Sequence, residues 1–280
     1  MPRFRSPRQT AGTRSAETQG GAAPAEVDAA GWWSTDPAAA GNDTRVANAR
    51  TGAEALGRAV APMGVWRIMV ARPAGAIALL DGGDLSRWRR RDGQPAGWSL
   101  ADGVVTVVPR TGDIVSLDTF RDALVHVEFC EPDMPEATGQ HKGNSGIFVQ
   151  GRYEIQVLDS YGWKVPGKGD CGAVYNQYAP LINACLPPLQ WQTYDIIFRA
   201  ARVDAAGAVL ANARLTVLLN GQVIHNNIEL HGPTGAAIDQ QVGEPGPLLL
   251  QDHGNPLRFR NVWFLPLPQE GSDAYGPSNG

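Results

Sequence analysis

Cysteine is scarce in this chain: Cys130, Cys171 and Cys185 are the whole complement among 280 residues. Three thiols at irregular spacing build neither a disulfide scaffold nor a zinc knuckle. Cys171 and Cys185 could bridge a loop in an exported protein. Two small, semi-buried thiols are the plainer reading, because free cysteine packs as a compact apolar side chain. Long apolar runs are absent as well. None approaches the roughly 20 residues of a membrane span, and no apolar stretch follows Arg3, Arg5 and Arg8 to complete a standard export signal. That points to the cytoplasm, with periplasmic or extracellular routes left open. Excess positive charge is also missing. A formal net charge of -4, with basic residues scattered rather than striped, argues against nucleic acid and acidic membranes as partners. There is no phosphate loop, dinucleotide fingerprint or serine nucleophile elbow. The histidines stand singly and far apart, and no Asp-rich calcium loop is present, so no metal motif of fixed spacing exists.

What is there changes texture along the chain. Residues 1–72, rich in Ala, Gly, Thr, Arg and Pro, cannot bury enough apolar surface to offset ordering entropy, and read as a largely disordered extension. Trp32 and Trp33 break that pattern as solvated or loosely packed aromatics. Residues 73–268 form the folded domain, and 269–280 a flexible tail. Within the domain, short apolar runs alternate with Gly, Pro, Asn and Asp, the signature of an all-β fold. Strands are expected at Ala76–Leu80, Trp98–Leu100, Val104–Val108, Ile114–Ser116, Ala123–Phe129, Gly146–Val149, Tyr153–Leu158, Gln192–Phe198, Ala213–Leu219, Val223–Asn226, Leu248–Gln251 and Leu257–Leu265. Asn220-Gly221 supplies the positive φ angles of a two-residue hairpin turn. No long 3.6-period segment occurs, so any helix is a turn or two. A dozen short strands imply a two-sheet sandwich or barrel. The irregular stretches Glu131–Lys142, Trp163–Pro188 and Glu229–Gly246 are long enough to build a site.

The segment Gly143 to Gly162 carries the most chemistry. Its strand alternates Arg152, Glu154 and Gln156 on one side with Tyr153, Ile155 and Val157 on the other. A carboxylate beside an amide suits hydrogen bonding to sugar hydroxyls or general acid/base work; an ordinary solvent-facing strand, with Arg152 and Glu154 as a surface ion pair, is the plain alternative. Gly143, Gly146 and Gly151 favour close approach of a ligand or backbone. Asp159, in the opposite phase, suits a loop-positioning role or binding. In Leu250-Gln251-Asp252-His253-Gly254-Asn255-Pro256, Gln251 and His253 share a face, and Gln251, Asp252 and Asn255 crowd the imidazole with polar partners. Histidine is well poised for proton transfer near neutrality, although a structural hydrogen bond is as reasonable a fate. His141 and Lys142 could overhang a cleft. Tyr175 and Asn183 could bind a saccharide from their loop. Trp191 and Trp263 could form a sugar platform, with core packing the commoner outcome.

Together with Cys171-Gly172-Ala173-Val174-Tyr175, Ala179-Pro180-Leu181-Ile182-Asn183, Trp191-Gln192-Thr193-Tyr194-Asp195, Gly232-Pro233-Thr234-Gly235 and Phe259-Arg260-Asn261-Val262-Trp263, these motifs resemble the 3-keto-disaccharide hydrolase family from about Pro73 to Leu267. Ala74 to Trp88 looks like that family's N-terminal edge. The resemblance implies an all-β fold, a two-sheet antiparallel β-sandwich of concanavalin-A-like jelly-roll type, acting on glycosides whose C3 hydroxyl has become a ketone. A C3 ketone acidifies the C2 hydrogen, so the glycosidic oxygen can leave by β-elimination and water can add back. The resemblance implies Glu154 and His253 as the acid/base pair, in either assignment. It implies Arg152, Gln156, Asp159, Tyr175, Asn183, Gln251 and Asn255 as the candidate binding set. A divalent cation for enolate stabilisation is neither required nor excluded by these residues. Two other readings stand beside this one. A lectin-like module without turnover fits the same fold. A conventional two-carboxylate glycosidase fits poorly, because Gln156 stands where a second acid would be wanted.

Overall fold

A computed structural model describes residues 71–269. The readings made for residues 1–70, Trp32 and Trp33 included, and for the tail from residue 270 lie outside the described residues. The strands in chain order are β1 (Ile77–Leu80), β2 (Trp88–Arg90), β3 (Ser99–Ala101), β4 (Val104–Thr106), β5 (Ile114–Phe120), β6 (Ala123–Cys130), β7 (Ser145–Val149), β8 (Tyr153–Val157), β9 (Trp191–Arg199), β10 (Arg202–Val203), β11 (Val209–Ala211), β12 (Arg214–Leu219), β13 (Gln222–Glu229), β14 (Gly246–Leu250) and β15 (Arg258–Pro266). The one helical element among the described residues is a 3-10 turn at Gly139–His141.

All pairings are antiparallel. The larger sheet runs β13–β12–β9–β6–β15–β4–β3, with β1 also on β15; the smaller runs β2–β5–β14–β7–β8. The expected sandwich is therefore what the chain builds. Period-two alternation explains it: β12 (Arg214–Leu219) buries Leu215, Val217 and Leu219 and leaves the residues between them part-exposed. Val125, Val127 and Phe129 of β6 and Tyr194, Ile196 and Phe198 of β9 join the same core as Ile147 and Val149 of β7 and Tyr153, Ile155 and Val157 of β8. The β12–β13 hairpin turns through Asn220 (φ 53°) and Gly221 (φ 79°), the positive angles its sequence demands.

Two differences bear on function. Trp88–Arg90 and the short β10 and β11 are strands that the apolar pattern did not announce, because a run such as Trp-Arg-Arg has no alternation to detect. The other concerns β8. The side carrying Arg152, Glu154 and Gln156 is not presented to solvent; all three side chains are buried. A second, small apolar cluster of Val115, Phe148 and Leu249, with Ile238 packed on it, lies apart from the main core. Loops close over that side of the five-stranded sheet.

Candidate active site

Adjacent β7 and β8 set the floor. Glu154 pairs with Phe148 and Gln156 with Gly146, so their side chains rise on one face. The Glu154 carboxyl lies across β7, and a Cβ on Gly146 would stand 2.5 Å from its Oε1. Only glycine leaves that space. Gly151, at φ 65°, similarly admits Ile238, whose Cδ1 would be 2.5 Å from a Cβ there.

Above this floor is a pocket of about 250 Å³ lined by Gln140, Asn144, Glu154, Gln156, Tyr175, Gly235, Ala236, Gln251 and His253. Each of the three long loops contributes to the wall. Two amide side chains are oriented by backbone carbonyls, which only accept. Asn144 Nδ2 donates to the Gln140 carbonyl (2.7 Å), and Gln156 Nε2 to the Gly169 carbonyl (3.3 Å); both also reach Gln140 Oε1, each at 3.1 Å. Gln140 is itself anchored through Nε2 to the Gly169 carbonyl at 2.8 Å. With their NH2 groups committed, Asn144 Oδ1 and Gln156 Oε1 are left buried and without partners, as is Gln251 Oε1. Unpartnered buried oxygens are costly, on the order of 1–3 kcal/mol each, and three on one pocket call for hydroxyl donors.

Glu154 forms no salt bridge among the described residues. Burial first, and the nearby negative charge of Asp113 second, push its pKa up to about 8. Asp113 is fixed by Arg91 Nε at 2.7 Å and accepts the Asp252 amide at 2.8 Å. His253, which lines the same pocket, is exposed and makes no hydrogen bond among the described residues. Two of its three expected polar neighbours are occupied elsewhere: Asp252 accepts the Gly112 and Gly254 amides, and Asn255 Oδ1 accepts the Asn144 amide at 2.8 Å.

The family model described as the 3-keto-alpha-glucoside-1,2-lyase-like domain matches residues 75–265. The chain belongs to this family. A solved structure of a candidate glycosyl hydrolase from Parabacteroides distasonis ATCC 8503 is 40% identical, with a TM-score of 0.64 over 70% of this chain and 85% of that one. A second from the same organism shares the fold at 19% identity and a TM-score of 0.52, covering 69% of this chain and 95% of that one. No curated protein matches. The domain is that of a carbohydrate-active enzyme of glycoside hydrolase or lyase type.

Within this lyase-like domain, Glu154, His253, Gln156, Tyr175 and Gln251 meet at the pocket; the other candidates do not line it. Arg152 is bound to Asp239, with Nε to Oδ1 at 2.6 Å and Nη2 to Oδ2 at 3.3 Å, and to the Glu244 carbonyl at 2.8 Å. It therefore makes a buried tie to the 232–244 loop rather than the surface pair with Glu154 that the alternative described. Asp159 accepts the Tyr161 amide at 3.2 Å and pairs with Lys142 at 3.0 Å, which holds its loop. Asn183 Nδ2 donates to the carbonyls of Ser160 (2.7 Å) and Trp163 (2.9 Å), pinning one loop segment to another. Asn255 supports the pocket from behind through Asn144. Trp263 is buried and stacks on His126 at 4.9 Å, and Trp191 lies beneath the Arg260 guanidinium at 4.1 Å, both on the larger sheet. Sequence reasoning missed Gln140, Asn144 and Asp113 as parts of the site. Asn144 had a signal, a polar residue between Gly143 and Gly146; Asp113 had none.

Among the described residues, Glu131, Cys171 and Cys185 are the one group of three ligand-type side chains, within 4.8 Å of one another. They are buried off the pocket, and burial holds the Glu131 carboxyl well above the usual carboxylate range while Gln192 Nε2 donates to it at 2.7 Å. All three cysteines are free thiols. The pocket itself offers oxygen donors, the type a hard cation takes, with Glu154 as its one carboxylate and His253 as its one imidazole. No helix among the described residues is long and apolar enough to cross a membrane.

Proposed function

We propose that this domain cleaves 3-keto-glycosides by elimination and hydration, with Glu154 as the acid and His253 as the base. The observation that carries the reading is a buried carboxyl with a pKa of about 8 sharing a small polar pocket with a free imidazole. At neutral pH Glu154 holds a proton and can give it to a departing oxygen. His253 removes the C2 hydrogen that the C3 ketone acidifies, and the electron pair of that bond passes into the enolate. As the enolate collapses, a C1–C2 double bond forms, the C1–O bond breaks, and Glu154 protonates the leaving oxygen. Water then adds at C1 and a proton returns to C2, releasing the free 3-keto sugar.

The other lining groups suit that sequence. The unpartnered oxygens of Asn144, Gln156 and Gln251 accept hydrogen bonds from ring hydroxyls. The Tyr175 hydroxyl, which has no hydrogen bond among the described residues, is a donor available to the enolate oxygen. At about 250 Å³ the pocket falls below the range of roughly 300–1,000 Å³ that encloses drug-sized ligands. One sugar ring fits, and the leaving portion extends beyond it.

A chromogenic 3-keto-glucoside tests the proposal. Release of the chromophore by the wild type, reduced about 10²–10⁴-fold in Glu154→Gln and in His253→Ala, is the expected result. Binding of the glycoside without release would favour the lectin-like module instead.

A further inference from the structure

The register of the smaller sheet places Glu154 at one end of a cross-strand row. Glu154 pairs with Phe148, Phe148 with Leu249, Leu249 with Val115, and Val115 with Arg89. Residues paired in this way project from the same face, so one side of the sheet carries an acid, three apolar side chains and then an arginine. The three apolar members are the separate cluster that Ile238 covers.

Open space follows the same direction. The pocket at Glu154 shares Ala236 and Gln251 with a wider cavity of about 480 Å³, which Arg90, Arg91, Asp113 and Asp252 help to line. That cavity in turn shares Arg90 and Arg91 with a third, of about 260 Å³, which also takes in Arg89, Ser116 and Thr119 and has no acidic residue in its lining. Arg91 is committed to Asp113 and to the Ala236 carbonyl (2.7 Å), and Arg90 pairs weakly with exposed Asp92 at 3.1 Å. Arg89 is exposed and has neither a hydrogen bond nor an ion pair from its side chain among the described residues.

We infer that the far end of this cleft binds an anionic group, a carboxylate or a phosphate, on the leaving portion of the substrate, with Arg89 as its principal contact. This deepens the proposed function and rests on it for the words "leaving portion". Four strand steps of about 4.8 Å separate β8 from β2, roughly 19 Å. A group held there cannot belong to the ring that reacts at Glu154. Guanidinium groups match carboxylate and phosphate geometry, and a charged hydrogen bond is worth more than a neutral one.

The experiment uses three sets of 3-keto-glycosides, with neutral, carboxylate-bearing and phosphate-bearing aglycones, and the matching unoxidised glycosides for calorimetry. The expected result is a preference of about tenfold or more in kcat/KM for one anionic set over the neutral set, expressed in KM and weakened by added salt. Arg89→Gln should bring that ratio to about one. Which anion gains more distinguishes carboxylate from phosphate. Anionic aglycones turned over no better than neutral ones, or a preference that survives Arg89→Gln, would overturn the inference. If no 3-keto-glycoside is cleaved, the proposed reaction fails, and calorimetry still decides the subsite: an anionic glycoside must bind more tightly than its neutral counterpart, and lose that margin in Arg89→Gln.

Discussion

Glu154 has 4% of its surface exposed, its backbone amide donates to Thr234 Oγ1 at 2.9 Å, and its carboxyl has no counter-charge among the described residues. An acid in that position keeps its proton to about pH 8. As the proton donor it should make kcat fall as pH rises above about 8, a descending limb that Glu154→Gln abolishes together with activity. A rate that climbs through pH 8 would exchange the roles assigned to Glu154 and His253. Gly146 matters at the same scale. In Gly146→Ala the new methyl would meet Glu154 Oε1 at 2.5 Å and Phe148 Cε2 at 2.9 Å, so the carboxyl has to move. Misplacement by about an ångström costs on the order of a hundredfold in rate. Kinetics should show that loss while circular dichroism shows the sheet intact. Glu154 and Gln156 were legible because period two puts them on one face. Their burial was not, since the loops that cover them come from residues far away in sequence.

The loop from Gly232 to Asp239 is the element that makes a cleft out of a sheet. Thr234 N donates to the Arg152 carbonyl and Ile238 N to the Gly151 carbonyl, both at 2.9 Å, while Arg91 reaches across from the far side to the Ala236 carbonyl at 2.7 Å. Arg152 and Asp239 anchor it by charge. Asp239→Asn should leave the guanidinium buried without its counter-ion. The expected cost is about 2–3 kcal/mol, less than for a fully buried pair because Asp239 is 33% exposed. Chemical denaturation measures that loss, and KM should rise more than kcat falls if the loop's role is to shape the pocket. At this scale the Asn220-Gly221 hairpin could be read from local rules alone. The tie through Arg152 could not: the strand pattern offered Glu154, two residues away, as its partner, and the partner it takes is 87 positions along the chain.

Across the whole molecule, several buried groups set opposing slopes of stability against pH. Glu154 and Glu131 have pKa values raised by burial, so the native state holds their protons longer than the unfolded chain does. Stability therefore falls as pH rises from about 4.5 toward 8, for Glu154 by on the order of 4 kcal/mol at about 1.4 kcal/mol per pH unit. His126 adds to this trend. Burial opposes its charge, but hydrogen bonds to Asp195 (2.7 Å) and Glu128 outweigh that and raise its pKa. Its contribution is complete below pH 6.5 and is lost as pH rises through the raised value. Asp122, Asp239 and Glu128 act in the other direction. Burial raises each, but hydrogen bonds from partners such as Arg202 and Arg199, Arg152, and His126, respectively, prevail and lower the net pKa, to about 2 for Glu128. Their stabilisation is present above about pH 4.5 and disappears as pH falls through the lowered values. Thermal unfolding should thus show a maximum on the acidic side of neutrality. Glu154→Gln should raise the midpoint at pH 8–9 and flatten the alkaline decline. An unchanged midpoint there would mean that the carboxyl is not held neutral in the native state.

What the sequence by itself determined was the local grammar: strands by alternation, the hairpin by Asn-Gly, one face of β8 by parity, and family membership by motifs. These rest on neighbours along the chain. Only the tertiary structure decided that Glu154 and His253 share a pocket, that Arg152 and Asn183 brace loops, and that burial beneath distant loops, with the charge of Asp113 second, lifts the pKa of Glu154. Each of those is a distance between residues far apart in the chain, set by how the sheet brings distant strands side by side and by which loops fold over it.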